Sequence, residues 1–103
     1  MDTKTNLQSC IDSCASCLTE SENCAKECHT MGGMDACAIA CEASAMATKS
    51  AWTAMKGGSM GENAHCVEVC QTTAAECEKY DHPSTKKCAE ACHACASELQ
   101  MAM

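Results

Sequence analysis

The chain reads as all-α: an up-down antiparallel four-helix bundle with a cysteine-lined core. Three observations predict it. The breakers are few and clustered, at Gly32-Gly33, at Gly57-Gly58-Ser59 with Gly61, and at Asp81-His82-Pro83-Ser84. The segments between them are rich in Ala, Glu, Lys and Met, which favour helix, and poor in strand formers. Cysteine recurs at steps of four and three residues, which keeps one face of a helix.

The elements follow in order. Helix 1 covers 4–30 and carries Cys10, Cys14, Cys17, Ser21, Cys24 and Cys28 as one stripe. Helix 2 covers 35–56, with Cys37, Cys41, Ser44 and Thr48, then Trp52 and Met55. Helix 3 covers 60–80, with Cys66, Cys70, Thr73, Cys77 and Tyr80, and Ser59-x-x-Glu62 reads as its capping box. Helix 4 covers 84–100, with Cys88, Cys92, Cys95 and Leu99, capped by Ser84 or Asp81. Short connections make neighbouring helices antiparallel. The 103 residues are enough for one domain, spanning 1–103.

The stripes are copies of one motif, C-x3-C-x2-[C/S/T/M], found five times. Cys10-Ile-Asp-Ser-Cys14-Ala-Ser-Cys17 matches Cys88-Ala-Glu-Ala-Cys92-His-Ala-Cys95, and each is followed three residues later by glutamate. All thirteen cysteines are therefore expected to point inward. Counting at about 1.5 Å per residue places Cys28, Cys37, Cys77 and Cys88 at the end holding the 1–2 and 3–4 connections. Cys24, Cys41 and Cys92 come next, then Cys17, Cys70 and Cys95, then Cys14 and Cys66. Cys10 is lowest, near Trp52, Met55 and Leu99.

Composition sharpens the question. Of the apolar residues, eighteen are alanine and thirteen cysteine, while Leu, Ile and Val together number seven and Phe is absent. So few large apolar groups seldom make a core unaided, so the cysteines must pack it, staple it or bind something that does. A net charge of −7 with no arginine disfavours nucleic acid and anionic membranes. No apolar run reaches bilayer length. The polar start Met1-Asp2-Thr3-Lys4-Thr5-Asn6 carries no signal-peptide pattern, so the chain reads as cytoplasmic, or as an exported protein whose leader has been removed.

Several chemistries fit thirteen inward thiols. Disulfides within a C-x3-C pair would distort the helix, since i,i+4 Cβ atoms are about 5–6 Å apart. Bonds between helices remain open, giving a disulfide-linked helical scaffold, although an odd count leaves one thiol over. Iron–sulfur spacings differ and sit in loops. Structural zinc sites use C-x2-C knuckles in turns. Layers of thiols could still buffer zinc or cadmium, at the cost of burying net negative charge. Cu(I) is soft, prefers thiolate and thioether, and accepts few ligands. One Cu(I) per displaced thiol proton also leaves the core neutral. Thiols serving only as packing would not recur on every helix. No residues form a catalytic dyad, so no enzyme activity is expected, and Glu20, Glu42, Glu68, Glu76, Glu90 and Glu98 read as a solvated outer face.

Cys10 to Cys28, Cys66 to Cys77 and Cys88-Ala-Glu-Ala-Cys92-His-Ala-Cys95-Ala resemble the bacterial cysteine-rich four-helix-bundle copper storage proteins. The resemblance spans about Thr5 to Glu98. It implies reversible storage of multiple Cu(I) ions on the thirteen cysteines, a homo-oligomer (a tetramer favoured), and a protein that donates or accepts copper. It also implies that copper enters at one end of the bundle near His and Met. The matching stretch here is Cys28-His29-Thr30-Met31-Gly32-Gly33-Met34, making His29, Met31 and Met34 candidate ligands, with His82 nearby. Thioethers need no deprotonation and suit a relay. Met46, Met55, Met60, Met101 and Met103 read as packing groups, and His65 and His93 as rim residues.

Overall fold

Gly33 and Gly58 have φ of 81° and 90°, a backbone region that costs L residues about 1–2 kcal/mol, and each follows the end of a helix. The computed structural model describes residues 3–102, with side chains from Leu7 onward. Met1, Asp2 and Met103, used above for the polar start and as a packing methionine, lie outside the described residues. The helices are α1 Thr3–Thr30, α2 Asp35–Lys56, α3 Asn63–Cys77 and α4 Pro83–Ala102. No strand occurs among the described residues. α1 packs on α2 and α4, and α3 packs on the same two. The result is a closed four-helix bundle, with extents of 45 × 19 × 17 Å.

α3 is shorter than the expected 60–80, and the turn before it explains why. Gly58 N–H donates to Met55 O at 2.9 Å and Ser59 N–H to Ala54 O at 2.8 Å. These are the paired bonds of a glycine-terminated helix, here ending α2. Ser59 is thus committed to the helix before it. Its Oγ accepts from Gly61 N–H at 3.2 Å, and the Ser59–Glu62 capping box does not form. Glu62 stands at the N-cap of α3 with no side-chain bond. At the far end, Tyr80 N–H donates to Cys77 O at 3.2 Å and tightens the chain into a turn.

The cap of α4 also differs from expectation. Neither Ser84 nor Asp81 supplies it. His82 Nδ1 accepts from Ser84 N–H at 3.2 Å, with Pro83 at the first helical position, where its missing N–H costs nothing. Asp81 pairs instead with Lys86 Nζ at 2.7 Å.

Small residues let the helices close on one another, with Ala38, Ala51 and Ala74 fully buried. Met55 and Leu99 plug the end away from the 1–2 connection. Met46 and Met101, read as packing groups, are instead 73% and 76% exposed. Each lies two residues, about 200° of helix, from the inward Ser44 or Leu99, so the helix turns it to solvent. Glu20, Glu76 and Glu98 are half-buried at helix seams, while Glu42, Glu68 and Glu90 are exposed.

Candidate metal centre

Each stripe points where its helix must bury a face. All thirteen cysteines are free thiols, and none is more than 1% exposed. Their sulfurs stand in contact along the bundle axis. Cys14 and Cys95 are 3.5 Å apart, Cys17 and Cys92 3.6 Å, and Cys41 lies 3.7 Å from both Cys77 and Cys88. These are van der Waals contacts, well beyond the S–S bond length of about 2.05 Å. The disulfide-linked scaffold is therefore not the structure adopted.

Four groups have all their sulfurs within 4.8 Å of one another: Cys24, Cys41, Cys77 and Cys88; Cys24, Cys28 and Cys37; Cys17, Cys70 and Cys95; and Cys14, Cys66 and Cys95. This layering keeps part of the heights counted from the sequence and corrects the rest. Cys17, Cys70 and Cys95 group as counted, with Cys95 also joining Cys14 and Cys66, and Cys77 touches Cys37 at 3.7 Å. But Cys77 and Cys88 group with Cys24 and Cys41, and Cys92 meets Cys17 at 3.6 Å. Cys37 is the third residue of α2 whereas Cys88 is the sixth of α4. Three residues at 1.5 Å lower Cys88 by about 4.5 Å. Cys10 stands apart and donates to Glu98 O at 3.5 Å.

Thiol protons are shared in a pattern. The S–H groups of Cys66 and Cys95 stabilise the Cys14 thiolate and bring it from the ordinary 9.0 down to about 5. Cys70, stabilised first by Cys17, is likewise lowered to about 5. Cys88 is held low by Cys24, Cys41 and Cys77, and Cys24 by Cys41 and Cys77. The donors keep their protons. Cys41 and Cys77 are pushed up, each by its bond to Cys24 first, Cys92 by its bond to Cys17 and Cys95 by its bond to Cys14. Burial raises Cys10, Cys28 and Cys37. Each lowered thiol thus has thiols beside it that donate to it.

The other candidate ligands divide. Met34 is buried in the core cluster, and Met31 packs half-buried against that cluster. His29 does not join them. It is about 100° of helix past the inward Cys28, is 57% exposed, and places Nε2 3.5 Å from Glu42 Oε1. His65 and His93 are exposed.

Two buried polar residues escaped the sequence reading. Asn63, fully buried at the plugged end, donates Nδ2 to Met55 Sδ at 3.6 Å and Met60 Sδ at 3.5 Å. Thr85, also fully buried, donates to His82 O at 2.9 Å. Both lie three residues before a stripe cysteine, Cys66 and Cys88. Extending the stripe backward by one step would have found them.

A thiol column of this density binds soft metal ions by its chemistry. A family model described as copper storage protein matches residues 3–103. The chain belongs to the copper storage protein family. No curated protein and no solved structure gives a significant match. As a family member it takes copper ions as its ligands, and its buried cysteine groups are where the structure offers metal coordination.

Proposed function

We propose that the bundle stores multiple Cu(I) ions on its thirteen cysteines and is not an enzyme. The observation that carries this is the sulfur column itself: thirteen thiols, none more than 1% exposed, with contacts down to 3.5 Å. Cu(I) suits it for two reasons. Two or three soft sulfurs satisfy each ion, and the column offers four groups of three or four sulfurs within 4.8 Å of one another. Each Cu(I) entering at a protonated thiol displaces one proton, so the dry core gains no charge. A tetrathiolate zinc site would leave net negative charge there, which burial penalises.

Copper enters at the end holding the 1–2 connection. The half-buried Met31 and buried Met34 pass it on as thioethers, and His29, turned to Glu42, is at most an outer contact. The protein works in the cytoplasm as a homo-oligomer, most simply a tetramer, and exchanges copper with a donor or acceptor protein. Among the described residues no helix is long and apolar enough to cross a membrane.

Parallel anaerobic titrations of the reduced chain with Cu(I) and with Zn(II) test the metal. Storage of Cu(I) predicts many Cu(I) ions per chain and few Zn(II), with Zn(II) displaced by added Cu(I). Equal filling by both, or resistance of bound Zn(II) to Cu(I), would point to a general d¹⁰ buffer.

A further inference from the structure

Hydroxyl groups cross the middle of the sulfur column on three of its four helices. Ser21 on α1, Ser44 on α2 and Thr73 on α3 occupy stripe positions and are 0%, 0% and 1% exposed. Ser44 and Thr73 fill the last slot of the repeat, where other copies have cysteine. Ser21 and Ser44 hydrogen-bond each other at 2.9 Å, and Thr73 donates to Ala40 O on α2 at 3.0 Å. The serine pair separates sulfurs on its two sides. Ser21 lies 3.7 Å from Cys88 above, and Ser44 lies 3.5 Å from Cys92 and 3.7 Å from Cys17 below.

Only α4 runs sulfur straight through this level. Cys88 and Cys92, 4.0 Å apart, make the one sulfur–sulfur hydrogen bond that crosses the belt among the described residues. Every metal-sized group of thiols lies wholly on one side. Two groups draw on Cys24, Cys28, Cys37, Cys41, Cys77 and Cys88, and the other two draw on thiols below the belt.

The chemistry of the belt differs from that of the column. A copper–sulfur network grows because one thiolate can bridge two Cu(I) ions. A neutral alcohol is a hard donor with poor affinity for a soft ion, and a buried one gains nothing by ionising. We infer that Ser21, Ser44 and Thr73 partition the cargo space into two compartments that fill separately, the six thiols above the belt and the other seven below, joined only along Cys88–Cys92. This rests on the Cu(I) storage proposed above and adds its internal order. A half-loaded chain holds one filled and one empty compartment, not copper spread along the axis.

The test uses the native chain half-loaded with Cu(I) under anaerobic conditions, with total stoichiometry measured first. Free thiols are then blocked with N-ethylmaleimide and located in single intact chains by top-down mass spectrometry. The expected result is that the protected thiols of each chain lie on one side of the belt. S21C/S44C should let protected thiols straddle it and raise capacity by about two ions, one per added soft ligand. S21A/S44A, which removes the hydrogen bond but adds no ligand, should keep the separation. Straddling protection in native chains overturns the partition, and so does loss of separation in S21A/S44A. If S21C/S44C does not fold, the native chain and S21A/S44A still decide. Saturation of the native chain at one to three ions overturns the storage reading as well, and is seen before any thiol is blocked.

Discussion

Cys88 meets side chains from every other helix: Ser21 and Cys41, each at 3.7 Å, and the sulfurs of Cys24 and Cys77 in the four-thiol group. Cys88→Ser should therefore lower Cu(I) capacity by about one or two ions, as a bridging soft ligand is lost. The metal-free chain should lose only about 1 kcal/mol, since a hydroxyl still fits beside Ser21. Ion counting and denaturant unfolding of the variant check both, and unchanged capacity would show that this layer does not hold copper. The shared protons give a second expectation. Cys14 and Cys70 ionise near 5 when folded and near 9.0 when unfolded, so the unfolded chain binds more protons across that window and stability rises with pH. Above 9.0 the sign reverses. Cys41, Cys77, Cys92 and Cys95 keep protons that the unfolded chain releases. Melting of the metal-free protein should give its highest midpoint near pH 8–9, and a midpoint flat from pH 5 to 9 would contradict the network.

At the scale of the element, inward faces were legible and ends were not. A stripe of cysteines at steps of three and four leaves one way to bury a helix, so the column could be read from spacing alone. Ser59 shows the limit. Its capping pattern with Glu62 was real in the sequence, but a competing set of bonds at the end of α2, set by positive-φ Gly58, claimed its backbone first. His82 shows the reverse, since histidine is seldom sought as a cap and only the bond from Ser84 N–H reveals it. Heights slipped for a related reason, because the lengths of the connections set how deep each first cysteine lies. The 1–2 connection carries a functional expectation. Replacing Met31 and Met34 with leucine should slow Cu(I) transfer to and from a chelator by about tenfold, with capacity changed by at most an ion or two. Stopped-flow transfer rates equal to those of the native chain would place uptake elsewhere.

At the scale of the whole molecule, the bundle replaces a conventional apolar core with alanine and sulfur. Alanine lets the helices approach closely, and that approach brings sulfurs on different helices to within 3.5–3.9 Å. The same geometry that packs the metal-free chain therefore preassembles the ligands. Their residue identities could be read from the sequence, but the partition of the column could not, because it depends on which hydroxyls meet at one height. Ligands bound only by the native state stabilise it, so copper loading should raise the thermal midpoint, and equal midpoints with and without Cu(I) would show that the metal binds outside the core. The most direct measurement is an anaerobic titration of the fully reduced chain with Cu(I) against a chromophoric competitor, with free thiols counted first. A storage core should show thirteen free thiols and tight binding of roughly one ion per thiol. Saturation at one to three ions would contradict a storage core and leave a single discrete site in its place.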